Sequence, residues 1–216
     1  MESEHSTSFT LPIRHYVAVL ALVTFGLVAT HLGLNWYNYQ IEEVPWLLLQ
    51  LFELDEENNL PTWFSGFLLL NNAVVLVLAA GQATQHRVQW LILAAGFLLL
   101  SIDEIAGLHE TFHTAIDSNW TIYAAILVAV VALSFIPFLI ALPRRIAIWF
   151  VFAGGVYLSG ALLVEWLSRD MDEETLAYSI AVATEEGLEM IGALVFFALN
   201  LQRLKGLNPT ITIEFD

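Results

Sequence analysis

The stretch LLLSIDEIAGLHETFH, residues 98–113, guides the interpretation of the whole chain. It begins as an apolar run and then carries five ionisable side chains: Asp103, Glu104, His109, Glu110 and His113. Ionisable groups inside a membrane span cost about 3 kcal/mol or more each near the bilayer centre. A chain that places several of them together therefore indicates a functional site, which the other apolar segments would surround.

The composition predicts an integral membrane protein. Of the 216 residues, 58% are hydrophobic and 13% are charged, whereas soluble domains are about half apolar and about a quarter charged. Apolar blocks long enough to cross a bilayer as helices lie at residues 12–37, 62–82, 88–113, 120–141, 146–167 and 178–201. We therefore predict one all-α domain over residues 1–216, an integral membrane bundle of six transmembrane helices.

The distribution of charge predicts how this bundle is oriented. If the helices alternate in direction, six of the seven basic residues fall on one side and only Arg169 falls on the other. The positive-inside rule makes the basic side cytoplasmic. We therefore predict both termini in the cytoplasm and the protein in the cytoplasmic (inner) membrane of a bacterium or archaeon. The net charge of −15 argues against nucleic acid as a partner.

The ionisable residues of the apolar blocks share one depth. A helix rises about 1.5 Å per residue, which places the embedded ones in the outer half of the membrane: His31, Asp103, Glu165, Glu185, Glu186 and Glu189, with His113 near the outer surface. The inner halves of the helices carry none. This shared depth predicts one common site that faces the outer side, although His31 is more readily interpreted as a core histidine than as a ligand.

Helical direction and charge refine this site. Asp103, Glu110 and His113 fall on one face of the third helix, if it is continuous, and Glu104 points away from that face. Carboxylates held together in a low dielectric must share protons or bind a cation. Because the spans offer no Lys or Arg to pair with these acids, we predict a bound metal ion, with a proton-sharing network as the alternative.

Two sets of metal ligands fit the sequence. In the first, His109 and His113 chelate zinc and Glu110 acts as the base, as in H-E-x-x-H sites, with a third ligand from Glu165, Glu186 or Glu189. In the second, the ligands are those of a carboxylate-rich di-metal site: Glu110, His113, Glu165, Glu186 and Glu189. Asp103 would then orient a ligand through a hydrogen bond. The abundance of carboxylates favours iron or manganese over zinc.

These ligand sets predict different functions. The favoured one is a di-metal oxidoreductase acting on a membrane lipid or a small apolar substrate, with Glu110 and Asp103 as catalytic residues. The alternatives are a zinc-dependent membrane hydrolase and a non-enzymatic subunit of a larger membrane complex. The expected partners are membrane lipid and either other membrane proteins or further copies of the chain.

Three motifs resemble those of a group of uncharacterised bacterial multi-pass membrane proteins. They are LPTWFS at residues 60–65, LSxDExxxxHE at residues 100–110 and EExxEM at residues 185–190. The resemblance spans most of the chain. It implies no activity, but it does imply a shared site at Asp103, Glu104, His109, Glu110, Glu186 and Glu189.

Overall fold

The computed structural model describes residues 12–108 and 120–205, and no strand occurs in these ranges. The helices are α1 (Ile13–Gln40), α2 (Trp46–Phe52), α3 (Leu60–Gln82), α4 (Arg87–Ala106), α5 (Trp120–Ala141), α6 (Arg144–Leu158), a π-helical segment (Ser159–Val164), α7 (Glu165–Ser168) and α8 (Leu176–Lys205). The predicted all-α class is confirmed.

Five helical stretches of the described chain are long and apolar enough to cross a membrane: Ile13–Gln40, Leu60–Gln82, Arg87–Ala106, Ile122–Ala141 and Arg144–Ser168. They correspond to the first five predicted spans. The sixth, residues 178–201, falls within α8, which is helical but is not one of these five. Six spans and cytoplasmic termini therefore remain a prediction.

Large apolar side chains cover the outside of the bundle. Leu22 is 70% exposed, Phe25 is 73% exposed and Ile140 is 78% exposed. Monomeric soluble proteins rarely expose contiguous apolar patches larger than a few hundred Å². This surface and the five apolar helices are compatible with a multi-pass membrane protein.

Helix α8 packs against α1, α3, α6, the π-helical segment and α7. On one side, the Asn72 side chain on α3 donates a hydrogen bond to the carbonyl of Ala193 at 3.0 Å. On another, Gly192 lets α6 come close, because a Cβ there would lie 2.6 Å from the backbone nitrogen of Tyr157. Small residues at helix contacts bring backbones together in membrane proteins.

An aromatic cluster joins α4, α5 and α6 at one end of the bundle. The ring of Trp90 packs edge-on against Phe138 at 4.9 Å and Phe150 at 5.7 Å between centroids. The rings of Tyr16 and Phe197, 5.8 Å apart, place the start of α1 beside the last turns of α8 at this same end. We call it the basic end, because the helix termini that meet there carry Arg14, Arg87, Arg144, Arg145 and Arg203.

The third predicted span, residues 88–113, is interrupted at residue 107, and its residues 109–113 lie outside the described ranges. Helix α4 stops at Ala106, because Gly107 follows in the left-handed region with a φ of 56° and its N–H bonds to the carbonyl of Asp103 at 2.8 Å. Glycine adopts this helix-ending conformation without steric cost. A Cβ at Gly107 would also collide with the carboxylate of Glu57. The apolar pattern of the sequence predicts a helix that continues past Gly107.

Candidate functional site

Acidic and polar side chains collect at the end of the bundle opposite the basic end. This acidic end comprises the C-terminal turns of α1 and α4, residues 53–59, the π-helical segment with α7, and the N-terminal half of α8. The Tyr178 hydroxyl donates to Asp55 Oδ2 at 2.6 Å. The Nε2 atom of His31 lies 3.0 Å from the carbonyl of Ser179. These contacts tie α1 and residues 53–59 to the start of α8.

The centre of the acidic end lies between α4, α6 and α8. The Tyr157 hydroxyl donates a hydrogen bond to the carboxylate of Glu189. Glu186, one helical turn earlier, interacts electrostatically with Glu189 and with Glu104 of α4, and Glu104 also interacts with Tyr157. Neighbouring carboxylates in a protein interior cannot all stay ionised. These acids must therefore share protons or be neutralised by a cation.

Two glycines and the π-helical segment set this geometry. Gly160, inside the π-helical segment, is buried, and a Cβ there would lie 2.5 Å from the carbonyl oxygen of Glu185 and 3.0 Å from Cγ of Glu189. Gly192 makes the matching close approach from α8 to the backbone of Tyr157. Single π turns inside α-helices occur frequently at functional sites. Here the π-helical segment packs closely against Glu185 and Glu189 of α8 through Gly160.

Glu104 faces the acids of α8, whereas the helical projection turned it away from the shared face. That projection defined the shared face through Glu110 and His113, on the assumption of a helix that continued to residue 113. Because α4 ends at Ala106, those two residues do not define a face of α4. Asp103 lies in the last turn of the same helix and is partly buried.

The predicted metal ligands divide into two groups. The structure describes Glu165 at the start of α7 and Glu186 and Glu189 on α8; His109, Glu110 and His113 lie outside the described residues. Within residues 12–108 and 120–205, no three His, Asp or Glu side chains are placed so that they could hold a metal ion. A complete ligand set would therefore need residues outside these ranges, where His109, Glu110 and His113 lie, and the metal site stays a prediction.

His31 belongs to a separate polar contact at the acidic end. It is 1% exposed, and its Nδ1 lies 3.0 Å from Glu53 Oε1, while the Asn35 amide donates to Glu53 Oε2 at 3.3 Å. Burial raises the pKa of the Glu53 carboxyl, but the bonds from His31 and Asn35 and the charge of His31 outweigh it, so this pKa lies below its ordinary value. His31 thus makes its contacts inside the fold, as expected for a core histidine.

The sequence analysis missed Tyr157. A tyrosine far from both ends of an apolar block was the available signal, because a buried phenolic hydroxyl usually requires a hydrogen-bond partner. The nearby glycines Gly154, Gly155 and Gly160 are typical of close helix packing, but they do not indicate what the packing would position.

The comparisons with known proteins identify a family but no activity. No curated protein and no solved structure matches the chain. A family model described as a domain of unknown function, DUF8692, matches residues 17–204. The matched range includes Tyr157, the acids of α4 and α8, and the H-E-x-x-H residues 109–113. Because it covers most of the sequence, the chain belongs to the DUF8692 family.

Proposed function

We propose that this protein is a metal-dependent oxidoreductase of the prokaryotic cytoplasmic membrane, with α8 as its sixth span. Glu186 and Glu189 would bind a divalent ion, iron or manganese, from α8. The remaining ligands would come from Glu110, His113 and Glu165, whereas His109 would be a ligand only in the zinc alternative. The substrate would be a membrane lipid or another small apolar molecule reached from the outer half of the bilayer.

The observation that carries this proposal is the convergence of Glu104, Glu186 and Glu189 on Tyr157 inside the bundle. The arginines near the helix ends of α1, α4, α6 and α8 lie at the basic end. Arg169 lies at the acidic end, where it follows α7 and pairs with Asp170 at 3.3 Å. Carboxylates held close together repel one another when they are ionised, and charge within a membrane span is costly in itself. A divalent cation would offset that cost.

The residues of this chain would act in distinct ways at such a site. Tyr157 would hold Glu189 in one orientation through its hydrogen bond, since partners of a metal ligand fix its direction and raise its affinity. The metal, when bound, would supply the redox chemistry. Glu110, together with Asp103 at the end of α4, would accept or donate the proton that accompanies electron transfer.

An apolar groove supports a lipid as the substrate. Its volume is about 310 Å³, and Ile122, Ala125, Leu162, Leu163 and Trp166 line it. The groove lies between α5 and the π-helical segment, and the same segment touches Glu185 and Glu189 through Gly160. An acyl chain in the groove would therefore lie on one side of this segment, with the acids on its other side.

A proton-sharing network in a subunit of a larger membrane complex is the second candidate. It is favoured by the described acids themselves: Glu189 accepts a hydrogen bond from Tyr157, and no three-ligand metal group forms within residues 12–108 and 120–205. A zinc hydrolase that uses His109, Glu110 and His113 would share the metal requirement, but not the preference for iron or manganese.

Elemental analysis of detergent-purified protein tests the proposal. Wild type should carry iron or manganese, and E186Q should lose most of it. E173Q, which changes an exposed acid between α7 and α8, should retain it. Zinc in place of iron or manganese would favour the hydrolase. If wild type binds no metal even when it is added, and E186Q raises the thermal midpoint, the acids are a protonated network and the enzyme proposal is wrong.

A further inference from the structure

Arg203, near the end of α8, has no hydrogen-bond or ion-pair partner among the described residues. Its guanidinium carbon lies 4.0 Å from the centre of the Trp90 ring, and its Nη1 atom is buried without an acceptor. A guanidinium carries five N–H donors and stays charged in proteins. Although the chain has 22 acidic residues and only 7 basic ones, no carboxylate among the described residues pairs with Arg203. The N–H groups of Arg203 that lack an acceptor therefore suggest that it binds a ligand from outside the chain.

The guanidinium sits on a rigid support. Trp90 is 1% exposed and is fixed edge-on between Phe138 and Phe150. Stacking on an aromatic ring orients an arginine and leaves the N–H groups along its edge available. The position of Arg203 is therefore set by packing across α4, α5, α6 and α8, and requires no ion pair.

The first turn of α4 lies at the same end of the bundle as Arg203. Trp90 belongs to that turn, and the N-cap residue, His86, makes no side-chain capping bond. The first N–H groups of a helix have no partner within the helix, and the N-terminus carries a partial positive charge. This partial charge adds to the positive potential of the basic end, which would attract an anion towards Arg203.

The basic end as a whole attracts anions. Residues 12–16, 80–90, 138–147 and 197–205, which form it, contain no Asp or Glu. They do contain Arg14, Arg87, Arg144, Arg145, Arg203 and Lys205. Apolar side chains continue outward from the same place, since Val88 is 64% exposed and Leu91 is 41% exposed. A ligand for this surface would combine an anionic group with a hydrocarbon chain.

We propose that Arg203 binds the phosphate of an anionic phospholipid in the membrane leaflet at the basic end. The planar guanidinium matches phosphate oxygens, and basic pockets between membrane helices bind lipid headgroups. The acyl chains would lie along Val88 and Leu91. This site is separate from the acids at the other end and does not depend on the proposed function.

Native mass spectrometry of the full-length protein in detergent, titrated with dioleoyl phosphatidylglycerol, tests this inference. R203Q should weaken binding of the first lipid about tenfold or more, which corresponds to about 1.4 kcal/mol. R144Q removes the same charge from an exposed residue of the same end, and should weaken binding much less. Inorganic phosphate at equal concentration should not displace the lipid, because it lacks the acyl chains.

Three results would overturn the inference. Equal binding by wild type and R203Q would show that Arg203 is not part of a lipid site. An equal loss in R203Q and R144Q would show only general attraction between charges, and full displacement by inorganic phosphate would indicate a free-phosphate site. If R203Q does not fold, R203K decides: it keeps the charge but loses the planar fork, so wild-type affinity in R203K would also contradict the proposal.

Discussion

Gly192 is the position at which one added methyl group tests how α6 packs on α8. A Cβ there would lie 2.6 Å from the backbone nitrogen of Tyr157 and 2.8 Å from its Cα. Favourable contacts between carbon atoms begin near about 3.5 Å, so G192A must separate the two backbones by roughly 0.8 Å at this point. No rotamer change can relieve a contact between main chains. Overpacking costs about 1–3 kcal/mol, which the helix preference of Ala over Gly offsets by about 0.5–1 kcal/mol.

We therefore expect G192A to lower the free energy of unfolding by about 1–2 kcal/mol. The measurement is unfolding by SDS in mixed micelles, followed by far-UV circular dichroism. G155A is the matched control, because Gly155 lies on the partner helix α6 and a Cβ added there would meet no atom within 4 Å; it should be neutral or slightly stabilising. If G192A is as stable as G155A, α6 and α8 are not in backbone contact, and the positioning of Tyr157 against Glu189 loses its basis.

The remaining predictions concern single contacts and the orientation of the chain. The pKa of the Glu53 carboxyl is lowered in the folded state. Its contribution to stability is therefore present above the unfolded carboxyl pKa and is lost as pH falls through the folded value. For this reason, the thermal midpoint of wild type should drop more steeply on acidification than that of E53Q. Y157F should weaken metal binding about 10–100-fold in a metal titration, whereas S134A, at an exposed hydroxyl on α5, should leave it unchanged. In intact cells, an impermeant thiol reagent should label E173C but not T84C, and the reverse pattern would place the acidic end in the cytoplasm.

The positions of the helices could be predicted closely from the sequence. The block at 120–141 coincides with α5, and the block at 62–82 begins only two residues after α3 does. The reason is physical: each block is apolar over a membrane-length segment, and a polar, proline or arginine residue interrupts it. Pro143 followed by Arg144 and Arg145 is such an interruption, and α6 begins at Arg144.

The extent of α4 and the direction of Glu104 could not be predicted in the same way. The apolar and amphipathic pattern runs through Gly107 to residue 113, and an isolated glycine inside a helical pattern is usually tolerated. Whether it ends the helix depends on its surroundings, and here the carboxylate of Glu57, from the connector before α3, occupies the space that a Cβ would need. That contact is distant in sequence and leaves no local signal. The predicted face assumed a helix that continues to residue 113, and it did not indicate the interaction of Glu104 with Glu186.

The π-helical segment, which contacts the acids of the candidate site, could not be predicted from the sequence. In it, the N–H of Glu165 bonds to the carbonyl of Gly160, five residues earlier, so the chain holds one more residue than an α-helix would at this turn. One residue corresponds to about 100° of rotation, and an α-helical projection of residues 146–167 therefore assigns Glu165 to the wrong side of the helix. The π turn costs hydrogen-bond geometry, and the close contact of Gly160 with Glu185 and Glu189 across the helix interface is what can offset that cost. Since this compensation comes from α8 and not from the segment's own residues, only the folded bundle reveals why Tyr157 meets Glu189.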